Sequence, residues 1–218
     1  MAAAADLTLD ELRLELAPAI AEAAIFDGWS DAALVAASGR AAVDPAVARL
    51  AFPGGAMDMI AAWVDQVDAR MADAFDPAVL AQMPIRERIR ALVWFRLEAV
   101  TGLEEALRRA LAIQALPQNL ARTAKLGWSS ADAMWRLAGD TATDYNYYTK
   151  RAILASIYAA TLAVFLSDES EGKADTRAFL DRRIEGVMKF EKAKAQLLGN
   201  REHFDLMRFL GRLRYPAR

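Results

Sequence analysis

The sequence predicts an all-α protein, and three observations support this fold class. Strong helix formers (Ala, Leu, Arg and Glu) dominate the 218 residues, whereas the chain has only 11 glycines and 7 prolines. No stretch alternates β-branched and polar residues with the period of two that a half-buried strand requires. The hydrophobic fraction of 55% is high enough for a generous core in one domain of this length. We therefore expect packed helices and no strand.

Apolar spacing and capping residues divide the chain into ten expected helices. Their ranges are 9–24, 30–40, 44–52, 55–75, 84–100, 103–115, 117–137, 143–166, 174–198 and 200–213. The first three helices are short and most of the later ones are longer. This layout indicates a three-helix N-terminal head over residues 1–54, a larger helical body over residues 55–198, and a C-terminal amphipathic helix over residues 199–218.

Capping residues and prolines support several of these boundaries. Ser30 is a good N-cap for the second helix, and Asp44 followed by Pro45 is an N-cap with proline at the first helical position. Pro84 opens the helix that follows a turn at residues 76–77. Pro18 falls inside the first expected helix, so it should kink that helix or mark its true start.

Two central helices have broad apolar faces. The apolar residues are Ile89, Leu92, Val93, Trp94, Phe95, Leu97 and Val100 in one, and Ile153, Leu154, Ile157, Tyr158, Leu162, Val164 and Phe165 in the other. A helix that is apolar nearly all round is usually buried in a core. A mostly apolar pocket between helices would show the same pattern. Both alternatives remain open at this point.

Three tyrosines, at positions 145, 147 and 148, fall in the first turn of the helix expected over residues 143–166. Gly139 can adopt the left-handed conformation that ends the preceding helix, and Asp144 offers a negative charge to the free amides of the next one. First turns usually lie at the surface, and an exposed Tyr beside an Asp is typical of a protein-docking hot spot. Tyr147 also aligns with the apolar stripe of its helix, so it either extends the core or joins a docking surface.

The residue sets needed for common catalytic and metal sites are missing. The chain has no cysteine and one histidine, His203, so neither a two-histidine metal site nor a triad based on a cysteine nucleophile can form. No Glu-x-x-His pair of a di-iron bundle occurs, and no Gly-rich phosphate loop is present. We therefore expect a non-catalytic binding protein without a metal or another cofactor.

The ends of the chain differ in charge. The N-terminus is acidic and has neither the basic start of a secretory signal nor an Arg-rich presequence, so we expect no export or organelle import. The most apolar run, residues 152–166, is shorter than the roughly 18–20 residues of a spanning helix. Arginine outnumbers lysine by 21 to 6, and alanine is abundant, which is typical of a GC-rich bacterial genome. These features favour a bacterial cytoplasmic protein.

The last expected helix is basic and amphipathic. Its apolar side comprises Leu206, Met207, Phe209, Leu210 and Leu213, and its basic side comprises Arg201, Arg208 and Arg212. Residues 189–218 carry a net charge of +5, whereas the whole chain carries −2. This asymmetry favours attraction to an anionic membrane surface. Alternatively, the apolar side packs against the body or a second subunit.

Three segments resemble a known family. They read AGDTATDYNYYTKRAILASIY, AIFDGWSDAAL and WRLAGD. Together they are similar to the lipid-binding accessory proteins of ubiquinone (coenzyme Q) biosynthesis, the COQ9 family, over nearly the full chain. This resemblance implies a fold like that of TetR regulators, no catalytic activity, a buried lipid site, and service to the di-iron hydroxylase that modifies the quinone ring.

The resemblance also implies functional residues. For docking to the hydroxylase they are Met134, Asp144, Tyr147 and Tyr148; relatives often have Trp at the position of Tyr147. For lipid binding we expect Trp94, Leu97, Ile153, Leu154, Ile157 and Tyr158. For peripheral contact with the bacterial inner membrane we expect Leu206, Met207, Phe209, Leu210, Leu213, Arg208 and Arg212. The partners would be an isoprenoid quinone or its precursor, the hydroxylase and the membrane surface.

The TetR plan raises a second functional hypothesis, a ligand-responsive transcriptional regulator. Residues 1–60 carry a net charge of −6, and the expected reading helix, DPAVARLAF, contains one arginine and no other side chain suited to base edges. DNA binding is therefore disfavoured. An enzyme acting on a lipid headgroup is a third and weaker hypothesis. The TetR plan also favours a homodimer, without fixing which helices pair.

Overall fold

Ten α-helices and no strand are present in the part of the chain that the computed structural model describes, residues 7–143 and 145–199, with side chains to residue 189. The helices are α1 (Leu9–Asp27), α2 (Asp31–Arg40), α3 (Pro45–Ala51), α4 (Ala56–Ala74), α5 (Pro77–Ala81), α6 (Ile85–Glu98), α7 (Glu104–Gln114), α8 (Leu120–Leu137), α9 (Tyr145–Ser167) and α10 (Ala174–Gly199). Single turns of 3₁₀-helix cover Pro117–Asn119 and Glu171–Lys173. The predicted all-α class is confirmed.

The start of α1 shows what Pro18 does. Thr8 and Glu11 form a capping box, in which the Glu11 amide donates to the Thr8 hydroxyl (3.3 Å) and the Thr8 amide donates to the Glu11 carboxylate (2.8 Å). The helix therefore starts at Leu9 and continues through Pro18 to Asp27. Pro18 does not mark the start of the helix.

The start signals of α2 and α3 are confirmed, and α5 is an addition. The side chains of Ser30 and Asp44 accept hydrogen bonds from the Ala33 and Ala46 amides, as N-caps do. Asp76 caps α5 in the same way, at 2.8 Å from the Ala78 amide. We expected only a turn there, because five helical residues are too few to show an apolar period.

One hydrophobic cluster joins the first three helices to the rest. Helix α1 packs against α2, α3, α4 and α7. The Trp29 indole N–H, just before α2, donates to the Ala106 carbonyl of α7 (2.9 Å), and its ring lies 5.3 Å from that of Trp63 on α4. The head is thereby fixed to the body through buried contacts.

Helix α9 lies between α8 and α10 and also contacts α6. It has 23 residues. Among the described helices, it is the one whose length and composition would allow it to cross a membrane. The expectation that no segment has this property rested on the run 152–166, which ends at Arg151 on its N-terminal side, whereas the helix continues to Tyr145. Leu154 and Phe165 of α9 are buried, as is Arg151. Helix α9 is thus a helix of the folded body.

The amphipathic helix expected over residues 200–213 lies outside the described residues, with all of its proposed membrane contacts. Asp144 also lies outside them.

Candidate functional site

A sharp corner joins α8 to α9. Gly139 follows the last turn of α8 with φ of +87°, so the predicted left-handed conformation is confirmed. The Asp140 amide then donates to the Trp135 carbonyl at 2.9 Å, which closes the end of α8. Helix α9 begins at Tyr145. The corner therefore places the tyrosine-rich first turn of α9 beside the last turns of α8.

The tyrosines form an aromatic surface together with a residue of α8. Tyr145 and Tyr148 are 75% and 60% exposed, whereas Tyr147 is half-buried. The ring of Trp128 lies 6.2 Å from Tyr147 and 6.0 Å from Tyr148, and these two tyrosines meet edge to face at 5.1 Å. We call Trp128, Tyr147 and Tyr148 the aromatic patch. Sequence reasoning missed Trp128, because only the packing of α8 on α9 brings it to the corner.

Tyr147 lies partly in the protein interior and partly in the aromatic patch. Its ring lies 3.5 Å from the guanidinium carbon of Arg151, and its hydroxyl donates to Asp132 at 3.2 Å. These contacts tie the inner side of the residue to the protein interior. Its edge remains in the aromatic patch.

A buried ionic network holds the patch in place. Arg151 is 1% exposed and pairs with Asp132 (2.5 Å) and Asp140 (3.0 Å), and Asp140 also accepts from Lys150 (2.7 Å). Burial disfavours the charged form of Asp140, but the hydrogen bonds from Lys150 and Arg151 outweigh that effect and lower its pKa. The pKa of Arg151 is raised: burial opposes the charged form, and the two carboxylates more than compensate. The network stays ionised near neutral pH.

The expected docking residue Met134 is not at the surface. It is fully buried in the core beneath the corner. A docked protein would therefore not touch its side chain, since Met134 is an apolar residue on the inner side of α8.

One cavity lies beside the corner, between α6, α8, α9 and α10. This corner cavity has a volume of about 420 Å³. Its apolar lining includes Ile89, Ile153, Leu154, Ile157 and Ile184. Its charged lining comprises Arg86, Arg88, Asp140 and Lys150. Arg88 is held in this wall by hydrogen bonds to the carbonyls of Ala81 (2.7 Å), Met83 (2.8 Å) and Ala138 (2.7 Å).

The second cavity lies deeper in the body, between α4, α6, α7, α8 and α9. This inner cavity has a volume of about 410 Å³. Apolar side chains form most of its wall, among them Trp63, Val67, Leu107, Leu111, Leu126 and Leu162. Arg96 is the one charged residue in the lining. It is 2% exposed, pairs with Asp68, donates to the Ser130 hydroxyl at 2.9 Å, and lies 4.9 Å from the Tyr158 ring centroid.

The six residues expected to bind lipid divide between these places. Ile153, Leu154 and Ile157 line the corner cavity, and Tyr158 lines the inner cavity. Trp94 and Leu97 line neither of these cavities, so their assignment to a lipid site stays a prediction. Leu97 is fully buried in the core. Trp94 lies toward α10, where the Arg177 guanidinium carbon is 3.5 Å from its ring centroid.

No group of three or more His, Cys, Asp or Glu side chains in the described ranges is arranged to hold a metal ion. The titratable side chains near the two cavities pair with one another instead.

Comparison with known proteins shows which family the chain resembles. Residues 120–191 match the family model COQ9. The chain is similar to the COQ9 proteins. The matched segment covers α8, α9 and most of α10, and it therefore contains the aromatic patch and part of the wall of each cavity.

Several curated COQ9 proteins are similar to the chain. The rat protein (Rattus norvegicus), named a mitochondrial ubiquinone biosynthesis protein, is 34% identical over 168 residues, which are 74% of this chain and 54% of the relative. The Homo sapiens protein is 32% identical over 74% of this chain and 52% of its own length. COQ9-B of Xenopus laevis is 31% identical over 80% of this chain and 62% of its own length. The chain thus spans about half the length of the first two relatives.

A solved structure supports the fold. The TetR transcriptional regulator from Nitrosomonas europaea superposes with a TM-score of 0.63 over 80% of this chain and 96% of that protein. At 23% sequence identity this likeness concerns the fold alone. The predicted TetR-like fold and the resemblance to the COQ9 family are both confirmed.

Proposed function

We propose that this COQ9 relative is a non-catalytic lipid-binding accessory protein of ubiquinone biosynthesis. It takes a polyprenyl quinone precursor from the membrane and presents it to the di-iron hydroxylase that modifies the quinone ring. The observation that carries this proposal is the inner cavity, an apolar space of about 410 Å³ bounded partly by α8 and α9 of the COQ9-matched segment. Its volume falls within the range of roughly 300–1,000 Å³ that is typical of small-molecule sites.

The apolar wall suits an isoprenoid lipid. Exposing the tail of such a lipid to water costs about 0.8 kcal/mol for each CH₂ group, so transfer from a bilayer needs a protein that shields it. We assign the lipid to the inner cavity rather than the corner cavity, because four charged residues interrupt the wall of the corner cavity. The two cavities lie on opposite faces of α9: Ile153 and Ile157 line the corner cavity, and Ala155 and Leu162 line the inner cavity.

The arrangement of charges supports binding without catalysis. The acidic and basic groups beside the cavities are engaged with each other: Asp140 with Lys150 and Arg151, and Arg96 with Asp68. A general acid or base must be available to exchange a proton with its substrate. These paired groups hold the helices together and are poorly placed for that role.

The aromatic patch is the proposed docking surface for the hydroxylase. Tyr148 is exposed and rigidly held by Trp128 and Tyr147, which matches the aromatic anchors that dominate protein interfaces. Asp144, one residue before α9, is part of this proposal by its family resemblance. The smaller Tyr at position 147, where relatives often have Trp, changes the shape offered to the partner.

The remaining parts of the proposal concern location and assembly. We place the protein in the bacterial cytoplasm, peripherally associated with the inner membrane through the basic amphipathic segment at residues 199–218. We also propose a homodimer, as in the TetR plan. The curated relatives are mitochondrial proteins by name, and the bacterial location rests on the composition of this chain.

The head argues against the regulator hypothesis. Arg40 and Arg49, two of the three arginines in residues 1–60, pair with Glu22 and Asp31 at 2.8 Å and 2.7 Å. Arg49 lies on the helix that would enter the major groove, and its guanidinium is already engaged with a carboxylate. DNA phosphates would meet a surface of net negative charge. We therefore propose no nucleic-acid partner.

Lipid binding can be tested at Gly127. This residue of α8 lines the inner cavity, its φ is ordinary, and a Cβ added there would meet no atom within 4 Å. We expect Gly127→Phe to fill the cavity with its ring. The control is Gly186→Phe on α10, which lies at an exposed position with equal space for a Cβ and lines neither cavity.

The measurement is native mass spectrometry of the proteins purified from their own host, followed by extraction and identification of the lipid. We expect a stoichiometric isoprenoid quinone or precursor in the wild type and in Gly186→Phe, and its loss in Gly127→Phe. Wild-type protein free of lipid after mild purification would contradict the proposal. Retention of the lipid by a folded Gly127→Phe variant would exclude the inner cavity as its site.

Docking can be tested with two neighbouring tyrosines. Tyr148→Ala removes an exposed member of the aromatic patch. Tyr145→Ala removes a more exposed ring of the same helix turn that is not a member of the patch. We expect copurification of the hydroxylase to fail with Tyr148→Ala and with Asp144→Lys, and to persist with Tyr145→Ala. Equal retention by all three variants, with unchanged helical circular dichroism, would refute the docking assignment.

A further inference from the structure

Arg96 is a cation in the wall of an otherwise apolar cavity. One of its terminal nitrogens pairs with Asp68, and the other donates to Ser130 at 2.9 Å. The face of the guanidinium lies over Tyr158, which lines the same cavity. Its Nε is also buried, and within the described part of the chain this nitrogen makes no hydrogen bond. Among the described residues, the side chain therefore keeps at least one N–H without an acceptor in the wall of the inner cavity.

A buried donor without an acceptor is costly. Leaving such a group unsatisfied costs more than a made hydrogen bond returns, so native proteins keep these groups rare and often use them in function. The surrounding wall offers little else, since most of its residues are apolar. An acceptor oxygen on a molecule bound in the cavity would satisfy Nε.

The charge balance restricts that molecule. Arg96 and Asp68 form a pair of opposite charges with no net charge, and Arg96 is the one charged residue in the cavity wall. A carboxylate or phosphate in the cavity would add an uncompensated buried charge, which is strongly unfavourable. A neutral carbonyl or un-ionised hydroxyl accepts a hydrogen bond without that penalty.

We propose that Arg96 is the ring-recognition residue of the inner cavity. Its Nε–H donates to a carbonyl or hydroxyl oxygen on the neutral ring of a prenylated quinone or phenol, while the apolar wall surrounds the first part of the tail. This inference rests on the proposed function and adds a selectivity to it. The protein prefers neutral prenylated rings over ring-free isoprenoids and over prenylated rings that carry a carboxylate.

The test removes the donor without leaving an unpaired charge. In the double variant Asp68→Leu/Arg96→Met both members of the ion pair become apolar, a change that folded proteins often tolerate. Arg136→Met is the control, because it replaces an arginine that also pairs with a carboxylate but lines neither cavity. If circular dichroism shows that the double variant is unfolded, Arg96→Lys replaces it, since lysine keeps the charge beside Asp68 and lacks the planar Nε–H.

Binding is measured by isothermal titration calorimetry with two probes, a ubiquinone with a two-isoprene tail and the ring-free hydrocarbon farnesene. We expect the donor variant to bind the ubiquinone about tenfold more weakly than the wild type, as for the loss of a hydrogen bond to a charged group. Its affinity for farnesene should stay within about twofold, within the scatter of such measurements. Arg136→Met should retain the affinity of the wild type for both probes.

Several results would overturn the inference. An unchanged ubiquinone affinity in the donor variant would show that Nε does not contact the ring. An equal loss for both probes would show that Arg96 only maintains the cavity. Binding of a prenylated 4-hydroxybenzoate to the wild type as tight as that of the ubiquinone would refute selectivity for a neutral ring. A wild type that binds neither ubiquinone nor farnesene would instead refute the proposed lipid-binding function itself.

Discussion

Replacing Arg151 should destabilise the protein far more than replacing a nearby arginine that shares one of its partners. In Arg151→Met the carboxylates Asp132 and Asp140 lose a guanidinium that is 1% exposed and lies between them. Removing one member of a buried ionic cluster typically costs about 3–5 kcal/mol of folding free energy, because charges are left without compensation. A domain with a total stability of about 5–15 kcal/mol loses a large part of it.

The control for this prediction is Arg136→Met. Arg136 also pairs with Asp132, at 2.7 Å, but its side chain is 72% exposed. An exposed pair of this kind contributes roughly 0–1 kcal/mol, because water screens the charges. The two variants therefore remove the same residue type from the same carboxylate and differ in burial.

Urea unfolding followed by circular dichroism at 222 nm measures both changes in stability. We expect Arg151→Met to lower the free energy of unfolding by about 3–5 kcal/mol and Arg136→Met by less than about 1 kcal/mol. Equal effects in the two variants would refute the reasoning, since burial of the ionic network would then have no energetic consequence. Arg151→Met should also weaken docking of the hydroxylase, because Tyr147 loses the guanidinium beneath its ring.

Two further predictions concern the start of α10 and the place of the lipid. Hydrogen bonds from Ser170 and Thr176 lower the pKa of Asp168 in the folded protein below the unfolded value of about 3.9. The ionised Asp168 carboxylate therefore stabilises the fold above about pH 3.9, and this stabilisation is lost as the pH falls through the folded pKa. Asp168→Asn should therefore lower the melting temperature at pH 7 and reduce the further loss on acidification, as measured by thermal scans between pH 7 and pH 2. The place of the lipid can be measured by tryptophan fluorescence in variants that retain one tryptophan. A short-chain ubiquinone should quench Trp63, which lines the inner cavity, more than Trp135, which lines the corner cavity. Stronger quenching of Trp135 would place the quinone at the corner.

The fold was predictable from the sequence because each helix has its own local signals. The N-caps at Ser30 and Asp44 and the left-handed residue at Gly139 depend on neighbours within four positions, and the structure confirms them. Helix α5 was missed because its five residues are too few for an apolar period. The membrane-spanning length of α9 was missed, because its apolar run ends at the charged residues Lys150 and Arg151 although the helix continues to Tyr145.

The candidate site was less predictable, because it depends on which helices meet. Tyr148 was recognisable as exposed from its position in a first turn, but Trp128 joins it only through the packing of α8 on α9. Arg96 and Leu97 are neighbours in α6, and both are buried. The spacing of apolar residues does not predict that Leu97 packs in the core whereas Arg96 lines a cavity. A buried arginine also has no sequence signal of its own, since its partner Asp68 lies on a different helix.

Helix α9 connects the two proposed activities physically. Tyr147 contacts Arg151 at the aromatic patch, and Tyr158 contacts Arg96 at the inner cavity. Eleven residues separate the two tyrosines, which corresponds to about 16 Å along an α-helix. Leu154 and Ile157, between them, line the corner cavity. Tyr147, Arg151 and Tyr158 share one face of α9, so a ring that leaves Arg96 for the docked hydroxylase has a short path along that face.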